Sequence, residues 1–281
     1  MSTWLITGCS SGLGRAIATA VLDAGHNAVI TARDPAKLAA LAEAHPDTAL
    51  ALPLDVRDHG QVALVARQAT ERFGGIDVLV NNAGHGYRSA VEEADAAEVQ
   101  ELFETNFFGP VDLIKQILPG MRARRAGTII NISSIAGRLS NPGSGYYSAT
   151  KFALEGLSYG LRMEVAPLGI RVVIVEPGAF RTDFAGRSLQ QSATAIEDYA
   201  TTAGLRRKEN DHTDGKQLGD PARAAQAILT LAQSETLPLR VVLGTDAITV
   251  IETELERQHA ELDAMRELSA STDFPEGGIG G

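Results

Sequence analysis

The stretch Thr7-Gly8-Cys9-Ser10-Ser11-Gly12-Leu13-Gly14 joins a short β-branched run, Thr3–Thr7, to an alanine- and leucine-rich segment, Leu13–Ala24. A strand that turns directly into a helix presents free backbone N–H groups at the helix N-terminus, a ready anion site. Glycines let the chain turn tightly and approach a pyrophosphate without Cβ atoms in the way. The spacing is G-x-x-x-G-x-G, not the general G-x-G-x-x-G fingerprint. Cys9, inside the turn, reads as a small filler rather than a nucleophile.

The same alternation continues outward. Strands are expected at Ala28–Arg33, Ala49–Val56, Ile76–Val80, Thr128–Ile132, Arg171–Val175 and Leu239–Leu243. Helical sequence lies between them at Pro35–Ala44, His59–Phe73, about Ala96 to Arg125, Phe152–Val165 and Pro221–Ala232. Strands alternating with helices imply βαβ units, right-handed crossovers and a parallel sheet covered on both faces. The fold class is α/β: one Rossmann domain over 1–281 with a doubly wound, seven-stranded parallel sheet. The polar stretch 179–219, with Arg206-Arg207-Lys208-Glu209, reads as a substrate lid after a strand end. Ile251, Leu255, Leu262, Met265 and Leu268 mark a C-terminal helix, followed by a tail to 281 that ends in the frayed Gly277–Gly281. That helix packs either on its own domain or on a neighbouring subunit.

Composition narrows the function. The chain has 281 residues, 44% hydrophobic and 21% charged, with net charge −10. An acidic chain is a poor partner for nucleic acid phosphates or an anionic membrane. No apolar run approaches the roughly 18 residues of a spanning helix. One cysteine excludes internal disulfides, and the six histidines show no metal-ligand spacing. A cytoplasmic protein without a metal site is expected.

The chemistry is concentrated between residues 130 and 151. Ile130-Asn131-Ile132-Ser133-Ser134 is followed by Tyr147-Ser148-Ala149-Thr150-Lys151. Tyr147 and Lys151 are four apart, so a helix places both on one face. A free tyrosine, with a pKa of about 10, is a poor acid–base group near neutrality. A neighbouring ammonium favours the phenolate and lowers that pKa, making a proton donor and acceptor near working pH. A serine at a strand end adds a hydroxyl for the substrate oxygen. At the second strand end, Arg33 stands where an acid would favour NAD, and its guanidinium suits a 2′-phosphate. Asp34-Pro35 reads as a helix cap.

In this order the motifs resemble the short-chain dehydrogenase/reductase family, over most of the chain. Gly8, Gly12 and Gly14 match its glycine turn. Asn81-Asn82-Ala83-Gly84 matches its N-N-A-G after the fourth strand. Ser134, thirteen positions before Tyr147, matches its serine, and Pro177-Gly178 its turn beside the nicotinamide. The resemblance implies that Ser134 and Tyr147 bond the substrate oxygen and Tyr147 passes the proton. It implies that Lys151 holds the nicotinamide ribose and lowers the pKa of Tyr147, and that Asn106 completes a proton relay through a water. Asp55 matches the acid that holds the adenine, and Thr182 the threonine that contacts the carboxamide. The expected cofactor shell is Gly8, Ser10, Ser11, Gly12, Leu13, Gly14, Arg33, Asp55, Val56, Asn82, Ala83, Gly84, Tyr147, Lys151, Pro177, Gly178 and Thr182.

The implied function is an oxidoreductase moving a hydride between NADP(H) and a carbonyl or secondary alcohol, with NAD(H) as the alternative cofactor. The substrate is expected to be a small-molecule carbonyl or alcohol, fairly apolar and bulky, with Phe180 and Phe184 either as walls or as lid packing. His85 either touches substrate or is merely exposed. An NAD-linked alcohol dehydrogenase is the alternative. A non-catalytic nicotinamide-binding regulator is disfavoured because all four catalytic positions are filled. A homodimer or homotetramer is expected through Leu102, Phe103, Phe107, Phe108 and Leu113 on one helix and Phe152, Leu154 and Leu157 on another.

Overall fold

The computed structural model describes residues 1–184, 186, 188–213, 215–234 and 236–274. Strands β1 (Thr3–Ile6), β2 (Asn27–Ala32) and β3 (Ala49–Pro53) alternate with helices α1 (Gly12–Asp23), α2 (Ala39–Ala44) and α3 (His59–Phe73). Then come β4 (Val78–Asn81), β5 (Gly86–Arg88), α4 (Ala96–Phe103), α5 (Gly109–Arg124), β6 (Gly127–Ile132), α6 (Gly145–Val165) and β7 (Ile170–Pro177). The chain continues through β8 (Leu189–Gln191), α7 (Ala203–Thr213), α8 (Pro221–Gln233), β9 (Arg240–Leu243) and α9 (Thr245–Ala270).

Seven strands form one parallel sheet in the order β3-β2-β1-β4-β6-β7-β9. Side chains alternate across it, as strand geometry requires. Trp4 and Ile6 enter a core with Ile17, Val21 and Ile228 from α1 and α8. Leu5 between them enters the opposite core with Val62, Leu113, Ile117 and Leu161 from α3, α5 and α6. This is the doubly wound sheet expected. Its winding reverses between β1 and β4, where ligands bind in such sheets, beyond the strands' carboxyl ends.

The structure departs from the expected elements in informative ways. The helix carrying Tyr147 starts at Gly145 rather than Phe152, so tyrosine and lysine share one continuous helix. The helical sequence expected from about Ala96 to Arg125 forms two α-helices joined by a π turn over Glu104–Phe108. Within Pro35–Ala44 the first turn is 3₁₀, capped by Asp34 as expected. Within the polar stretch 179–219, β8 pairs with β5 in a small second sheet, and α7 follows.

In α9, Ile251 is buried, whereas Leu255, Leu262, Met265 and Leu268 are exposed, so most of that stripe does not pack on its own domain. The Gly277–Gly281 end lies outside the described residues. Among the described residues, no helix is long and apolar enough to cross a membrane.

Candidate active site

The carboxyl ends of β1, β4, β6 and β7 open into one cavity of about 780 Å³. All the expected site residues line it except Asn106. Gly8 and Gly12 have φ of +72° and +58°, the left-handed region that favours glycine. A Cβ on Gly8 would lie 3.0 Å from the Ala83 backbone, and one on Gly14 would collide with Asn82 Nδ2 and the Gly8 carbonyl. The Ser11 side chain makes no capping bond, and the first helical bond runs from Arg15 N to Ser11 O at 3.2 Å. The amides of Gly12, Leu13 and Gly14 therefore precede the ladder, and a pyrophosphate fits their cradle. Cys9 is fully buried, and burial pushes its thiol up to about 12, which suits a filler.

The second wall is fastened to the first. The Asn82 and Ala83 amides both donate to Thr7 Oγ1, at 3.0 and 2.9 Å, and Asn82 Nδ2 donates to Thr7 O at 2.8 Å. Asn82 thus shapes the turn. At the ends of β2 and β3 Arg33 is exposed at the cavity rim. Asp55 accepts from Arg57 Nη2 at 2.7 Å, and Arg57 also reaches Glu101 at 2.5 Å. That guanidinium holds the Asp55 carboxyl below the usual carboxylate range. The cap of α3 is Asp58, not Asp55. Arg57 went unassigned in the sequence because only the fold brings Glu101 to it.

Ser134 caps a 3₁₀ turn, its Oγ accepting from Ala136 N at 3.1 Å, and its hydroxyl lies on the Tyr147 side of the cavity. Lys151 Nζ lies 5.9 Å from the Tyr147 ring centroid and donates to Ile132 O at 2.9 Å. The expected lowering of the Tyr147 pKa by Lys151 is corrected here. Burial raises it above its ordinary value, opposed by the Ser134 hydrogen bond and the charge of Arg88. Burial also pulls Lys151 down to about 8, against the field of Glu155. Desolvation disfavours the charged form of both groups and here outweighs attraction along one helix face.

Asn106 sits in the π turn, 1% exposed. Its Oδ1 accepts from His85 N at 3.0 Å, and its Nδ2 donates to His85 O at 2.9 Å and Thr150 Oγ1 at 3.2 Å. The side chain therefore clamps the β4–β5 loop to α6, and π bulges often mark functional sites. His85 is half-buried rather than exposed, lines the cavity, and is held below its ordinary pKa by burial. Thr182 lies 3.3 Å from where a Gly12 Cβ would stand, so it backs the glycine turn. The Phe184 ring centroid is 5.8 Å from that of Tyr147, whereas Phe180 packs over Gly219.

Asn131 is buried in β6. It accepts from Asn81 Nδ2 and donates to Ser158 Oγ, both at 2.8 Å, tying α6 to the sheet. An asparagine between two isoleucines was its one sequence signal.

A family model described as short chain dehydrogenase matches residues 2–193. The chain is 45% identical to a short-chain dehydrogenase structure from Streptomyces avermitilis, over 97% of this chain and 100% of that one, with a TM-score of 0.91. It is 37% identical to the 3-ketodihydrosphingosine reductase of Bacteroides thetaiotaomicron, over 85% of this chain and 87% of the relative. A metagenomic short-chain oxidoreductase solved in complex with NADP is 29% identical, covering 86% of this chain and 96% of its own, with a TM-score of 0.67.

The stretch beyond β7 is anchored by a buried ion pair. Glu93, 4% exposed, accepts from Arg207 Nη2 at 2.6 Å, Ala90 N at 2.7 Å and Ile196 N at 2.9 Å. Replacing Arg207 with Met removes the cation from a buried carboxylate, and the expected loss is about 3 kcal/mol. Chemical denaturation should show that loss, and hydrogen exchange should show faster exchange over 192–196. Unchanged stability and exchange would dismiss the pair as an anchor.

Proposed function

The chain belongs to the short-chain dehydrogenase family, and on that premise we propose that it interconverts a carbonyl and a secondary alcohol with NADP(H). The observation that carries this reading is the meeting of Ser134, Tyr147 and Lys151 with the glycine cradle in one cavity. A bound nicotinamide supplies or accepts the hydride. The protein's own residues hold the reacting oxygen and move its proton.

Ser134 and Tyr147 hold the substrate oxygen, and Tyr147 donates the proton in the reductive direction. The raised pKa of Tyr147 supports that direction, since a phenol protonated near neutrality is ready to donate. Lys151 places its ammonium beside the ring and toward the cofactor ribose. Asn106 holds the helix turn from which the proton path continues. The glycine turn, Asp55, Val56, Asn82, Ala83, Gly84, Pro177, Gly178 and Thr182 line the cofactor. Arg33, exposed at the rim, takes the 2′-phosphate, in keeping with the NADP complex of the metagenomic relative.

Phe184, ring to ring with Tyr147, supports an apolar group beside the reacting carbon. The likeness to a ketone reductase supports the same class. The segment 179–219 serves as the lid over this end, with Glu93–Arg207 as its fastening.

The oligomer face is narrower than the sequence suggested. Leu102, Leu113 and Leu154 are buried in the protein's own core. Phe108, Phe152, Tyr159 and Met163 are exposed, the last three at i, i+7 and i+11 along α6, and we propose that they pair two copies. Light scattering at micromolar concentration is expected to give a dimer or tetramer; a monomer would remove this interface.

Titration with NADPH and NADH is expected to show at least tenfold tighter binding of NADPH, about 1.4 kcal/mol, abolished by Arg33→Ala. Equal binding of the two would reverse the cofactor assignment. Tyr147→Phe is expected to bind NADPH normally while ketone-dependent NADPH consumption falls by about 10²–10⁴. Full turnover in that variant would remove Tyr147 from its role.

A further inference from the structure

Four charged side chains, Glu155, Glu176, Arg138 and Arg240, form a cluster that the proposed reaction leaves unused. Glu155 is one turn further along α6, so it shares the face of Lys151. It is 4% exposed. Its Oε2 accepts from Arg240 Nε of β9 at 2.8 Å. Its Oε1 is buried and has no hydrogen-bond partner among the described residues. Glu176 of β7, 0% exposed, faces the same guanidinium at 3.4 Å. Both Glu176 oxygens also accept from Arg138 Nη1 at 3.3 Å.

These residues stand at the joints of the site. Arg138 ends the 3₁₀ turn that Ser134 begins. Glu176 immediately precedes Pro177-Gly178. A Cβ on Gly137 would meet the Glu155 side chain and Ser133 Oγ, so the turn after β6 lies directly on Glu155. Two buried carboxylates side by side repel and are costly to desolvate. One of them with an unbonded oxygen, a turn from a buried ammonium, is poorly explained by stability.

We propose that Glu155 is a positioning residue for Lys151: its carboxylate, clamped by Arg240 and backed by Glu176 and Arg138, keeps the buried ammonium charged. The proposal rests on Lys151 acting as an ammonium beside Tyr147. Its electrostatic direction is consistent, because the field of Glu155 opposes the burial that pulls Lys151 down to about 8. Lys151 also faces Tyr147 on α6 and depresses His85 on the loop after β4. Glu155 faces Arg240 from β9 and Glu176 from β7, and Glu254 of α9 feels the charge of Arg138.

The chain has five lysines, Lys37, Lys115, Lys151, Lys208 and Lys216, so each side chain is resolvable by carbon-13 NMR of labelled lysine. The Lys151 signal is assigned by its loss in Lys151→Arg. In the full-length protein it is expected to titrate near 8. Glu155→Gln, which keeps the shape and removes the charge, should move that titration down by about one pH unit. Glu155→Asp should restore part of it. A merely structural role would lower the melting temperature of each variant and leave the Lys151 titration in place, which overturns the proposal. Should Glu155→Gln fail to fold, Glu155→Asp, which draws the carboxylate back, should lower the titration by a smaller amount, and an unmoved value there overturns it equally. The titration needs neither substrate nor cofactor. Failure to bind NADPH would therefore sink the proposed function without moving this result.

Discussion

The ends of β1 and β4 are held at one spacing by Thr7, and the site depends on that clamp. Its hydroxyl receives two amides from the β4 turn, and its carbonyl receives the Asn82 side chain. These bonds sit where the winding of the sheet reverses, the one place where neighbouring helices diverge and leave a crevice. A buried backbone amide left without a partner is costly, so the two turns cannot separate independently. With the turns fixed, the approach of Gly8 to Ala83 and of Gly14 to Asn82 leaves no room for a Cβ. The glycines are needed for this contact as much as for any ligand.

Helix α6 is fixed just as firmly from the other side. Asn81, Asn131 and Ser158 form a polar ladder from β4 through β6 into the helix. Asn106 adds a second tie from the π turn to Thr150. Buried polar groups are tolerated only when bonded, and once bonded they permit few alternative packings. A helix so held presents Tyr147 and Lys151 in one orientation. Purely apolar packing would allow it to rotate or slide by a fraction of a turn.

Burial then decides the charge states. Along an exposed helix an i, i+4 pair interacts by only a few tenths of a kcal/mol. Removal from water acts on each member separately and favours the neutral form of both. Tyr147 accordingly lies above its ordinary value, and Lys151 lies below its own. Neighbouring dipoles and charges correct this in part: Ser134 and Arg88 for the phenol, Glu155 for the ammonium. The charge states in the cavity are a balance between desolvation and a few placed charges.

Much of this was legible in the residues. Alternating β-branched and alanine-rich runs determined a doubly wound sheet, because side-chain periods of 2 and 3.6 cannot be exchanged without exposing the core. The glycine turn, the N-N-A-G and the serine are local offsets from strand ends, and the tyrosine and lysine spacing places that pair on one helix face, so these residues were legible in the sequence. Tertiary structure decided the rest. The π turn under Asn106, the second sheet of β5 and β8, and the pairing of Glu93 with Arg207 all join segments distant in the chain. The burial of Leu102, Leu113 and Leu154 depends on which helix faces which. The protonation of Tyr147 depends on how the fold buries its ring, and an i, i+4 spacing carries no record of that burial.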